Sequence, residues 1–391
     1  MQRNDAARRL ALASLMVFAA LVSPVVKSQA QPSSTVPASR LARVRRGINL
    51  SHWFAQSRDY SEKHLREHTT AQDIELIKSL GFDHVRFTVE PAPLFDEARP
   101  AELNAEYLKQ LDAALDMLLG SGLAVVFDLH PSDEFKLRMR TDDRFVASFA
   151  DFWRGLARHL SARDPERLLL EVINEPMVED PYRWMGIQAK LAAAIREGAP
   201  RHTIVAAGAR WSSVDQLLLL EPLADRNVIY TFHFYEPHNF THQGATWGAD
   251  FWPYLKGVPY PGSPELIAPL VATAERENVR AVLKDYGEQR WDAARVEREI
   301  AQAAEWAHRR GVPLTCNEFG VYRAFAPAPD RLRWLADVRA ALERHGIGWT
   351  MWDYAGGFGV AVREKDGRAE PDPETAAALG LRVKPQQNRE R

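Results

Sequence analysis

The chain has 391 residues, 46% of them apolar and 26% charged, with 22 Gly and 24 Pro. That composition is globular, which excludes collagen, extended disorder and coiled coil, and the length suits one large domain or two average ones. Lys and Arg number 50 against 52 Asp and Glu, so no bulk charge attracts nucleic acid or anionic lipid, and a single cysteine excludes an intramolecular disulfide and a Cys/His zinc spacing.

The first 30 residues read as an export signal. Arg3, Arg8 and Arg9 precede an apolar stretch from Leu10 to Val26 that contains Ser14, Ser23 and Pro24, and Ser28-Gln29-Ala30 supplies a small-x-small cleavage site before Gln31. An uncleaved membrane anchor is the rival reading. A stretch that short, with a proline inside it, sits at the low edge of what spans a bilayer. Cleavage would remove Arg3, Arg8, Arg9 and Lys27 against Asp5, shifting the net charge from −2 to about −5. The expected product is exported, extracellular or periplasmic, with no stable membrane association.

Residues 31–43 are Pro/Ser-rich and read as a short linker. From there the chain alternates. Eight β-branched or apolar runs are candidate strands: Val44–Leu50, His84–Val89, Leu123–Leu129, Leu168–Ile173, Thr203–Ala207, Val228–Phe234, Val312–Cys316 and Gly348–Trp352. Helical spacing fills the intervals, with Thr70 or Thr69 capping a helix that carries Ile74, Ile77 and Leu80 on one face. Later helices fit Leu103–Leu119, Phe145–Leu160, Trp184–Arg196, Val296–Arg309 and Arg331–Arg344. Continuous apolar runs imply strands buried on both faces, hence a parallel sheet. Eight β-then-helix units predict an α/β fold, a single-domain (β/α)8 TIM barrel over residues 44–362, followed by a charged, loosely ordered tail at 363–391. A doubly wound sheet is the rival, but no Gly-rich phosphate turn follows a strand.

In such a barrel chemistry sits at the C-terminal ends of the strands. Those ends carry Arg86, His130, Asn174, Glu175, His233, Tyr235, Glu318 and Trp352. Each could serve structure alone, but together they fall at one edge of one sheet. Two carboxylates from separate strands in one pocket suit glycoside hydrolysis, which needs one protonated donor and one ionised partner. A buried carboxylate is costly to ionise unless paired or hydrogen-bonded. Asn174 offers both donor and acceptor to a sugar hydroxyl. Trp352 offers a flat face to pyranose C–H groups.

The chain resembles glycoside hydrolase family 5, the cellulase-like family of retaining (β/α)8 enzymes, over about residues 44–355. Asn174-Glu175-Pro176 matches its core motif, Glu318 its second glutamate, and His233 and Tyr235 in TFHFYEPH its His-x-Tyr. Arg86, His130 and Trp352 match its barrel-lining Arg, His and Trp. The resemblance implies Glu175 as acid/base and Glu318 as nucleophile. It implies Asn174 on the sugar 2-hydroxyl, His233 and Tyr235 hydrogen-bonding around the glutamates, and Trp352 flooring a subsite. It also implies a monomer acting on polysaccharide or oligosaccharide, most simply as an endo-β-1,4-glucanase, with no nucleic-acid partner, metal or organic cofactor. Mannanase, exo-β-1,3-glucanase and exopolysaccharide hydrolase activities occur in the same family, and a non-catalytic sugar-binding barrel would be expected to lack one of the two glutamates.

Three features leave more than one reading. Trp53, after the first strand, is expected to face the cleft. Residues 236–262 hold His238, Phe240, His242, Trp247, Phe251, Trp252, Tyr254 and Tyr260, either a sugar-stacking wall or the small core of a long loop; the histidine spacing matches no zinc motif. Cys316 reads as a buried small hydrophobe, placed by strand alternation on the same side as Glu318.

Overall fold

The computed structural model describes residues 35–382, so the proposed signal segment at 1–30 lies outside the described residues. Eight parallel strands close into a barrel in chain order: β1 (Arg46–Phe54), β2 (His84–Val89), β3 (Ala124–Leu129), β4 (Leu168–Glu171), β5 (Ile204–Ala207), β6 (Val228–Phe234), β7 (Leu314–Phe319) and β8 (Gly348–Met351). The ring closes where Arg46 and Ile48 pair with Trp349 and Met351. The (β/α)8 barrel predicted from continuous apolar runs is therefore the fold, and β2, β3 and β6 are buried at every position.

Two apolar layers follow from strand alternation. Val85, Phe87, Val89, Phe127 and Phe232 point outward and pack under the surrounding helices in one large core. Val44, Val126, Leu169, Val205 and Ile229 point inward and plug the lower end of the barrel. Above that plug the interior turns polar. Gly47 makes room for it, since a Cβ there would lie 2.1 Å from His84 Nε2, and His84 uses the space to reach Thr350 Oγ1 at 2.9 Å.

Both proposed boundaries shift. The linker ends early: Ala38–Leu41 forms a helical turn whose Arg40, 6% exposed, is held by Glu166, Thr203 and the Arg201 carbonyl. Val36 and Leu41 cover the inward apolar plug from below, so this segment is the floor of the barrel. The tail is also folded as far as Arg382. β9 (Ala361–Arg363) and β10 (Ala369–Pro371) make an antiparallel pair, and a helix at Pro373–Ala378, capped by Asp372, buries Ala376 and Leu379. Arg339 donates to the Ala378 carbonyl and Arg382 N–H to that of Leu80. Hydrophobic side chains at helical spacing inside this charged segment tie it to the core. Among the described residues no helix is long and apolar enough to cross a membrane.

Candidate active site

Arg86 organises the mouth of the barrel. It is fully buried on β2 and reaches four other strands. Its Nε and Nη2 donate to the two oxygens of Glu171 at 2.9 Å each, and Nη1 donates to Glu318 Oε1 at 2.6 Å and Asn49 Oδ1 at 3.0 Å. Nη2 also lies 3.0 Å from Asp128 Oδ2 and 2.9 Å from Asn174 Oδ1. One guanidinium thus faces three buried carboxylates. Burial works to lower its pKa, but Asp128, Glu171 and Glu318 outweigh burial and hold it well above its ordinary value. Burial acts oppositely on the acids, pushing Asp128 and Glu318 each up to about 7 and raising Glu171 as well.

Glu318 owes its place to a bulge. β6 and β7 pair Phe232 with Cys316 but His233 with Glu318, so Asn317 is an extra residue in the ladder. The bulge turns both Asn317 and Glu318 inward and sends Cys316 out into the large core, where its side chain is fully buried. Cys316 is therefore the small hydrophobe expected, but on the opposite side from Glu318; regular alternation does not survive the bulge. Burial raises the Cys316 thiol well above its ordinary value. Glu318 Oε2 accepts from the Tyr235 hydroxyl at 2.9 Å.

Glu175 follows β4 on a left-handed backbone, φ 41°. Its Oε1 lies 2.9 Å from His233 Nδ1, and the same nitrogen lies 3.5 Å from Glu318 Oε2. Glu175, His233 and Glu318 each present one polar atom within 4.8 Å of the other two. Burial lowers the His233 pKa to about 4 against the pull of Glu318, so the ring is neutral at neutral pH. These three could ligate a metal ion, but Arg86 at 2.6 Å from Glu318 already supplies the positive charge there. A cation would meet it as a like charge.

Asn174 Nδ2 donates to His130 Nε2 at 3.0 Å, and His130 Nδ1 faces Asp128 Oδ2 at 2.9 Å. Burial, then Arg86, depresses His130 well below its ordinary value. A neutral ring facing a carboxylate carries its proton on Nδ1 and leaves Nε2 as acceptor. The Trp352 ring lies over His130, centroids 5.7 Å apart and planes 24° apart. Of the residues singled out from sequence, Arg86, His130, Asn174, Glu175, His233, Tyr235, Glu318 and Trp352 thus converge at the barrel mouth.

Trp53 does not join them. It is 1% exposed, packs against Phe54 and Phe87, and donates its indole N–H to the Leu65 carbonyl. β1 loops out beside it, which turns the ring into the core. The aromatic insert forms a small core of its own and also carries a ring to the surface. Phe240 and Tyr260 are fully buried, 5.5 Å apart, as the core of the loop. Trp247, 48% exposed, packs on Tyr322 and extends a row of rings through Phe358 to Trp352. Asp128, Glu171, Asn49 and Asn317 were missed. Their signal was present, since each is a polar residue inside an apolar strand run (VVFDL, LLLE, GINL, TCNEF), where only a polar partner inside the barrel makes it tolerable.

A family model described as Cellulase (glycosyl hydrolase family 5) matches residues 46–357. This chain belongs to glycosyl hydrolase family 5. Endoglucanase C of Acetivibrio thermocellus is 30% identical to it over 315 residues, which cover 79% of this chain and 90% of that protein. Cellodextrinase A of Ruminococcus flavefaciens is 26% identical, covering 77% of this chain and 83% of the relative. Among solved structures, endoglucanase Cel5A from the hyperthermophilic Thermotoga maritima superposes with a TM-score of 0.71 at 25% identity, covering 88% of this chain and 100% of that one. The protein is a cellulase-type glycoside hydrolase of family 5, and the chemistry of its mouth has to be read in those terms.

Proposed function

We propose that this family 5 enzyme cleaves β-1,4-glucan within the polymer, with retention, using Glu318 as nucleophile and Glu175 as acid/base. The observation that carries this reading is the carboxyl pair: oxygens of Glu175 and Glu318 lie within 4.8 Å of each other. Retaining glycosidases hold the two groups about 5–5.5 Å apart, whereas inverting ones leave about 6.5–9.5 Å for a water. At the shorter spacing no water fits between sugar and Glu318, so the carboxylate itself attacks.

In the first step Glu318 attacks C1 as the C1–O bond breaks, and protonated Glu175 gives its proton to the departing oxygen. In the second, Glu175 takes a proton from water, whose oxygen attacks C1 and releases Glu318. Two close carboxylates resist double ionisation, so the pair holds one proton at working pH. Arg86 and Tyr235 at 2.6 and 2.9 Å both favour the ionised form of Glu318. His233, neutral, can donate Nδ1–H to ionised Glu175 or accept from its protonated form, so it serves both halves of the cycle. Asn174 meets the 2-hydroxyl and Trp352 floors the subsite. An exported, monomeric enzyme completes the reading: a polymeric substrate stays outside the cell, and residues 1–30 carry the export pattern. The endoglucanase names of the relatives favour glucan over other polymers.

The test is a screen against carboxymethylcellulose, mannan, xylan, laminarin and bacterial exopolysaccharide, with viscosity followed alongside reducing ends. Endo-action on carboxymethylcellulose drops viscosity before many ends form. Proton NMR of the first product should show the β-anomer; initial release of the α-anomer refutes the retaining mechanism.

A further inference from the structure

β1 carries a break in pairing that places one more side chain over the mouth. Leu50 pairs with Phe87 and Phe54 with Val89, so extra residues loop out between them. The looped segment starts and ends in left-handed backbone, φ 60° at His52 and 57° at Gln56. Neither is glycine, and such backbone is retained only where the surroundings enforce it. Trp53, Phe54 and Ala55 between them are at most 1% exposed and anchor the segment in the core. His52 Nδ1 closes it, 3.1 Å from the Gln56 carbonyl. The consequence is that Gln56, itself exposed, holds Nε2 3.1 Å from His130 Nε2.

That nitrogen has one lone pair and two claimants. Because His130 Nδ1 faces Asp128, Nε2 can only accept, and Asn174 Nδ2 already donates to it at 3.0 Å. Asn174 cannot leave: it is 1% exposed and its Oδ1 is held by Arg86. Gln56 can, because its side chain stands in solvent and this is its one side-chain hydrogen bond among the described residues. A donor that is exposed, in competition, and poised over a neutral histidine beneath the Trp352 ring occupies the position of something that replaces it.

We infer that Gln56 is a sugar-reading residue of the subsite formed by His130 and Trp352. Its carboxamide stands where a ring hydroxyl of the bound pyranose comes to lie. On binding, that hydroxyl donates to His130 Nε2, and the displaced amide turns to hold the same sugar with its own oxygen and N–H groups. Gln56 then discriminates among β-linked hexoses that differ at that hydroxyl. The inference rests on the glycosidase reading above and goes beyond it by naming a residue outside the eight family positions.

The experiment uses an aryl β-cellobioside and its monodeoxy analogues, each lacking one hydroxyl on the ring next to the scissile bond. Gln56→Ala should lower kcat/KM on the parent about three- to tenfold, the range for one neutral hydrogen bond. On one analogue the wild type should already have lost a similar factor, and there the substitution should cost nothing further, because the shared contact is gone. Gln56→Met, which keeps the bulk without the polar atoms, should behave like the alanine variant. An equal loss on every analogue, no loss on the parent, or full activity of the methionine variant would each overturn the inference. A wild type inactive on the parent would instead bring down the glycosidase reading itself. Because the side chain is exposed, both variants are expected to fold.

Discussion

Replacing Glu171 by Gln is the sharpest test of how the barrel interior holds its charge. Every hydrogen-bond partner of this carboxylate is a donor: Arg86 Nη2 to Oε1, and Arg86 Nε with Asn317 Nδ2 to Oε2. A proton has no acceptor there, so Glu171 is ionised in place although burial raises its pKa. Glutamine has the same shape but one oxygen, so at least one of the three donors must then face an NH2 group. Losing a charge-assisted hydrogen bond costs about 1.5–3 kcal/mol, and stranding a buried donor about 1–3 more. Relief from burying the anion returns part of this, for a net loss of about 2–4 kcal/mol. For a chain of this size that lowers Tm by roughly 3–5 °C. Arg86 also loses one arm of its fork, and with it the alignment of Glu318 at 2.6 Å. A misplacement of that kind should cut kcat by about 10- to 100-fold while leaving KM nearly unchanged. Differential scanning calorimetry and steady-state kinetics read the two effects. An unaltered Tm together with wild-type kcat would refute the view that Glu171 positions the nucleophile through Arg86.

Glu318→Ala should abolish turnover with the fold intact, and azide should restore cleavage of an activated aryl glycoside with inverted product; full activity in that variant ends its assignment as nucleophile. Glu175→Ala should slow polysaccharide cleavage far more than cleavage of substrates with good leaving groups, which need little protonation, and equal losses on both would make Glu175 structural. The pH–rate profile should be a bell whose alkaline limb falls as the Glu175–Glu318 pair loses the one proton it shares, which burial and the repulsion between the two carboxylates hold above the ordinary carboxylate range; a flat rate from pH 6 to 9 contradicts it. Stability should follow the same sign. Asp128, raised to about 7, and the Glu175–Glu318 pair, which shares one proton, keep protons that the unfolded chain has released above about pH 4, so the folded state is favoured less as pH rises through that window. Melting temperatures measured from pH 5 to 7.5 should fall, and a rise would mean these acids are ionised in the fold at pH 5.

The barrel was legible because its signal is local and repeated. An apolar run such as HVRFTV or AVVFDL has to be covered on both faces, and eight of them separated by helical spacing leave few other arrangements. The residues at the strand ends were legible for the same reason: Asn174, Glu175, Glu318 and Trp352 are costly at positions where a core would want hydrocarbon. What the sequence could not decide are facts about pairs far apart in the chain. Arg86 meets Glu171 across 85 residues and Glu318 across 232, and no local pattern says which buried anions share one guanidinium. Side-chain direction failed wherever a ladder slipped. Alternation puts Cys316 beside Glu318, and a place after the first strand suggests that Trp53 faces the cleft, but the bulge at Asn317 and the loop after Leu50 reverse both. Such breaks come from how neighbouring strands must fit around a closed ring, and only the folded barrel decides where they fall. The ends of the domain were decided by the same tertiary fact: Leu41 and Leu379 are large apolar residues in segments that have few, and each becomes structural because the barrel offers a face for it to cover.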